Sequence, residues 1–108
     1  MSFDIHTVLA DMGSAVKDTV AENWDETKSV TLQFLQNRKE RIGLLAQLRI
    51  SGELSKEKFK SRLEDEKLIL EAELNALQVI SKAIAQNAAN AAINVLEKAV
   101  FKAISSAF

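Results

Sequence analysis

Almost nothing in this chain obliges a helix to stop. Proline is absent, and only three glycines occur, at positions 13, 43 and 52. Alanine, leucine, glutamate, lysine and glutamine dominate, all strong helix formers. The chain therefore reads as all-α with very few turns. Apolar positions agree in the first half. Ile5, Leu9, Met12, Val16, Val20, Trp24, Thr27, Thr31, Phe34, Leu35, Ile42, Leu45 and Leu48 hold one phase on a helical wheel of about 100° per residue. A reversal would normally reset that phase. Residues from about 3 to 50 are thus predicted as one helix. Gly13, followed by Ser14, is the one place in it where a kink is plausible.

One turn is clear. In "RISGELSKEKF", residues 49–59, Gly52 suits the left-handed position after a helix end. Ser55 is a good N-cap, and Leu54 and Phe59 stand at the spacing of a hydrophobic staple. Glu57 falls in the first turn, where the helix dipole favours an acid.

From Ser55 to about Ser106 no further breaker appears. Phe59, Leu63, Leu70, Leu74, Leu77, Ile84, Ala88, Ala91, Val95, Ala99 and Ala103 continue the pattern. The expectation is one domain over residues 1–108, a long antiparallel hairpin of helices at about 3–50 and 55–106. Each helix would be about 70 Å long. Such a hairpin leaves part of its apolar stripe wet, so it should dimerise into a four-helix bundle. The alternative is a compact three-helix bundle, with a break at Gly13 or near "ENWDETKS".

A hydrophobic content of 47% argues against disorder, and a net charge of −1 gives no global pull toward nucleic acid. There is no cysteine, hence no disulfide or thiolate chemistry, which fits a cytoplasmic protein. The opening "MSFDIHTVLADMG" has no basic stretch and carries acids through its apolar part, so no signal peptide is expected. No apolar run reaches eighteen residues, the length that suggests a transmembrane helix.

Catalytic signals are weak. His6 is the sole histidine, and it reads as a half-exposed helix residue rather than a ligand. No Glu-x-x-His pair, Gly-rich phosphate loop or serine triad motif occurs. Glu64, Asp65 and Glu66 read as a solvated face with pairs such as Lys67–Glu71. No enzyme, metal or cofactor is expected. Arg38 sits inside the apolar stripe. It either snorkels outward or makes a polar contact that sets bundle register.

Charge is segregated. Residues 38–62 carry eight cations against three acids, a net of +5; residues 1–37 carry two against six, a net of −4. The basic turn reads first as a solvated tip, next as a contact for the acidic end of a second copy. Nucleic acid or lipid comes last, because it needs more than charge, such as exposed aromatic residues or an extended basic stripe.

The stretch "LLAQLRISGELSKEKFKSRLEDEKLIL", residues 44–70, resembles the short helical motif called SHOCT. The residues that carry the likeness are Leu45, Leu48, Gly52, Leu54, Ser55, Glu57 and Phe59. It covers a quarter of the chain. It implies oligomerisation or protein contacts and brings no catalytic residues.

The stretch "AIAQNAANAAINVL", residues 83–96, has no charge at all. Its alanines predict a tight helix seam, near the lower end of the usual 8–10 Å spacing. Its asparagines form a narrow strip that continues to Phe101 and Phe108. A plain solvent face would favour Glu and Lys, so this strip is predicted to contact another chain. The expected interface residues are Trp24, Ala88, Asn90, Ala91, Asn94, Val95, Phe101 and Phe108. The functional expectation is a non-enzymatic assembly or interaction protein, a homo-oligomer (a dimer first) with an unidentified protein partner. The alternative is peripheral attachment to a membrane surface through the carboxy-terminal amphipathic helix.

Overall fold

Four α-helices and a 3₁₀ turn run through residues 3–106, the part of the chain that the structure, a computed structural model, describes. The helices are α1 (Ile5–Val20), α2 (Trp24–Ile50), α3 (Lys56–Ala76) and α4 (Lys82–Ser106). The 3₁₀ turn, Ala21–Asn23, joins α1 to α2. All-α is therefore what the chain is. The two long helices expected at about 3–50 and 55–106 are each broken once.

Local chemistry accounts for each start and stop. Asp4 caps α1: its carboxylate accepts from the His6 N–H at 3.0 Å and from Thr7 Oγ1 at 2.9 Å. The Thr7 hydroxyl, then the His6 amide, holds the Asp4 pKa below its ordinary value. Helix α1 ends where Ala21 turns to φ +52°, ψ −114°. Asn23 then precedes α2, its side-chain amide donating to Glu26 Oε1 at 2.9 Å. Asp25 and Glu26 lie in the first turn of α2, against the positive end of its dipole.

Gly52 adopts φ +86° after α2, and the Leu54 N–H reaches back to the Leu48 carbonyl at 3.0 Å. Ser55 caps α3, accepting from the Lys58 N–H at 3.2 Å, with Phe59 buried and Leu54 packed against the core. The turn expected at this point is thus present in detail. The break after α3 was not expected. Gln78 takes φ +59°, and Ser81 accepts from the Ile84 N–H at 3.1 Å to start α4.

The helices run up, down, up and down. A methyl group built on Gly13 would lie 3.5 Å from Leu35 Cδ1, and one on Gly43 would lie 3.8 Å from Ile5 Cγ1. That pairing makes α1 and α2 antiparallel. Helix α1 passes through Gly13 without a break, so no kink forms there, and the space beside this glycine would hold a methyl group in ordinary contact with Leu35. Helix α4 closes the bundle against α1, and it also meets α3 and, across the middle, α2. The described chain measures 43 × 23 × 20 Å. At about 1.5 Å per residue, α2 alone spans about 40 Å of that length.

The four-helix bundle is thus built from one chain. Much of the apolar stripe is covered from within, with Leu9, Trp24, Ile84, Val95 and Ala99 partly buried. The compact alternative, with a break near "ENWDETKS", describes the chain better, and the break at 77–81 adds one helix to it. Val8, Met12, Val16, Val20, Phe34, Ile42, Leu63, Leu70, Leu74, Leu96 and Val100 form the core with Ala85, Ala88, Ala89 and Ala92.

Two non-glycine residues hold positive φ at these breaks, and both are exposed. Ala21 lies near the (+60°, −120°) corner of a mirror-image type II turn, a conformation dominated by glycine. Ala21→Gly and Gln78→Gly should each raise stability by about 0.5–1 kcal/mol, since relief of strain outweighs glycine's added chain entropy. Urea denaturation of the single and double variants measures this. The two gains should add.

Candidate functional site

Helix α3 turns Phe59, Leu63, Glu66, Leu70 and Leu74 inward. Glu66 therefore occupies a core position, with no exposed surface. Glu64 and Asp65 are exposed, as a solvated face requires, and the correction to that expectation concerns Glu66 alone. Arg38 on α2 meets the Glu66 carboxylate with a two-pronged grip, Nε to Oε1 and Nη2 to Oε2, both at 2.7 Å. Arg41 Nε adds a third bond to Oε2 at 3.1 Å. The hydrogen bond to Glu66 raises the Arg38 pKa further. Of the two expected roles for Arg38, the polar contact is the one found. Three N–H donors surround the carboxylate, a geometry suited to anchoring α2 on α3. Lys67 pairs with Glu64 at 3.0 Å, not with Glu71 as expected.

A groove runs along the outside between α3 and α4. At one end its floor is apolar, from Phe59, Val100 and Ile104, with Phe101 at its mouth, and Arg49, Lys56, Lys60 and Lys98 rim it with the single acid Glu97. This end encloses about 350 Å³. Lys60 and Glu97 also line the continuation, where Leu63, Glu64 and Lys67 of α3 face Asn90, Ile93 and Asn94 of α4. On the other flank of α4 a second cleft, about 730 Å³, lies against α1. Asp4, Thr7 and Asp11 form one wall of it, Lys98 and Lys102 the other. The last turns of α4 thus stand between two clefts. Phe101, 71% exposed, is the most exposed large apolar side chain among the described residues.

The predicted interface residues separate. Asn90, Asn94 and Phe101 come together along the α3–α4 groove. Val95 lines the α1–α4 cleft, half-buried. Ala91 is half-buried, and Trp24 is half-buried against the core at the start of α2. Ala88 is fully buried among the chain's own helices and has no surface left for another chain. Phe108 lies outside the described residues. Sequence reasoning missed the cationic rim as part of this site. Its signal was the Lys56–Lys60 spacing, which places two lysines one turn apart on one side of α3.

His6 is exposed. Among the described residues no three His, Asp or Glu side chains converge on one point. Among the described residues no helix is long and apolar enough to cross a membrane. Comparison with family models, curated proteins and solved structures found no match.

The anchor on Glu66 is asymmetric, and so should be its mutational response. Arg38 keeps 28% of its side chain exposed, whereas Glu66 keeps none. Arg38→Met leaves a buried carboxylate with only Arg41, itself 53% exposed, and should cost about 3 kcal/mol. Glu66→Leu leaves Arg38 free to reach water and should cost about 1 kcal/mol or less. The double variant should recover much of the Arg38→Met loss. Chemical denaturation of the three variants gives these differences.

Proposed function

We propose that this is a non-enzymatic interaction protein whose working surface is the outer side of α4, where it associates with a protein partner or with a second copy. The observation that carries this reading is Phe101. A phenylalanine in water at the mouth of an apolar groove has no role in holding this bundle together, and large aromatic residues on a polar-rimmed surface are the usual anchors of protein contacts. The uncharged Asn90 and Asn94 in the same groove support it, because they can donate and accept hydrogen bonds without the desolvation cost of a charge. The SHOCT-like turn at 49–59 points the same way.

Peripheral attachment to a membrane through α4 has less support. That reading needs a free apolar face on the helix. Here Ala85, Ala88, Ala89, Ala92, Ile93, Leu96 and Val100 are committed to the core, so deep insertion would require the bundle to open.

A photo-crosslinking phenylalanine analogue at position 101 should give adducts with protein chains in cells. The same analogue at Leu32, an exposed residue on α2 outside both clefts, should not. Equal yields from both positions would place the working surface elsewhere. Sedimentation velocity over a wide concentration range, with Phe101→Ser beside the wild type, shows whether a second copy is among the partners.

A further inference from the structure

We propose that the groove between α3 and α4 is the docking site for an acidic amphipathic helix of a partner protein. This rests on the interaction role argued above and gives the partner its chemistry. Three features of the groove define that chemistry.

The first is shape. From Asn90 to Ile104 the α4 wall covers about 21 Å at 1.5 Å per residue, or about four helical turns. Two antiparallel helices wall the groove, and the buried Phe59, Leu63, Ile93 and Val100 line it. A helix laid into such a trough sets side chains at i, i+3/i+4 and i+7 on its floor. The second feature is the order of chemistry along it. The floor is most apolar and most open at the Phe101 end and turns polar toward Asn90. Apolar anchors of the partner belong at the first end, and hydrogen-bonding side chains at the second.

The third is charge. Four cations, Arg49, Lys56, Lys60 and Lys98, rim the apolar end against Glu97 alone. Farther along, Lys67 and Glu64 satisfy each other. A partner carrying acids beside its apolar face would neutralise that rim, while a basic one would be repelled. An anionic membrane is the weaker match. The apolar floor is recessed between two helices. Lys58 and Arg62, also exposed on α3, lie outside the groove, so a flat anionic surface would have no reason to prefer the rim lysines over them.

The test uses the whole protein and three probes: a synthetic four-turn helical peptide with leucines on one face and glutamates elsewhere, its twin with lysine replacing every glutamate, and phosphatidylserine vesicles. Calorimetry gives affinity, and amide chemical shifts give location. The acidic peptide should bind and shift amides on Lys56–Lys67 and Asn90–Ile104, and the basic twin should not bind. Phe101→Ser and Lys60→Glu, both at exposed positions and checked for unchanged melting, should each weaken binding about tenfold or more. Arg62→Glu, the same charge change outside the groove, should weaken it less than about twofold. No binding of the acidic peptide, equal binding of the twin, or an Arg62→Glu loss equal to that of Lys60→Glu would overturn the proposal. Vesicle binding that depends on Phe101, with no peptide binding, would overturn it in favour of lipid. If the peptide fails while the crosslinker at 101 still captures protein, the interaction role stands and only the partner's acidic character is wrong.

Discussion

Helix α4 meets all three of its neighbours, and alanine is what allows it. A helix that packs on two sides and across the middle cannot carry large side chains on every inward position without pushing one neighbour away. Ala85, Ala88, Ala89 and Ala92 are fully buried, and they let the backbones approach. Beyond Ala92 the inward residues become Ile93, Leu96 and Val100, which are larger. Both of the larger clefts flank α4 only past Ala92. The tight half of the bundle and its grooved half are thus two consequences of one side-chain gradient along a single helix.

That gradient also explains what could and could not be read from the sequence. The turn at 49–59 was legible because glycine, a capping serine and a staple mark it. The reversal at Ala21 was hidden by its length. Val20 and Thr27, the buried residues on either side, are seven apart, so the wheel phase survives a complete change of direction. The break at 77–81 did the opposite: it shifted the phase unseen. Carried on unbroken from α3, the pattern puts Ile84, Ala88, Ala91 and Val95 inward. The structure buries Ala85, Ala88, Ala89, Ala92 and Leu96, a turn of the wheel by one residue. In so alanine-rich a helix both faces look apolar, and only the break decides between them. Ile80, Ser81 and Ala85 were the available signal, a cap between two residues at staple spacing.

The candidate site was half legible for a related reason. An uncharged strip running to Phe101 shows along one helix alone. The lysines opposite belong to α3 and join it only through the second reversal. Arg38 stood out in the sequence because a cation inside an apolar stripe is conspicuous. Glu66 did not, since it sits among acids and lysines that do face water. Its pairing needed the register of α2 on α3, which is the very thing the pair helps to fix.

The closure of α1 against α4 bears on how the molecule assembles. The α2–α3 hairpin joins residues close in sequence through a well-marked turn, and its loop costs little entropy to close. The α1–α4 seam joins the two helices farthest apart along the chain, and it is the most extensive contact between elements. Until it forms, the buried faces of Val8, Met12 and Val16 remain partly uncovered. The greatest reward in burial therefore comes with the most non-local step. A nucleus around the basic turn, followed by cooperative docking of the outer helices, is the order that chain entropy favours for this topology.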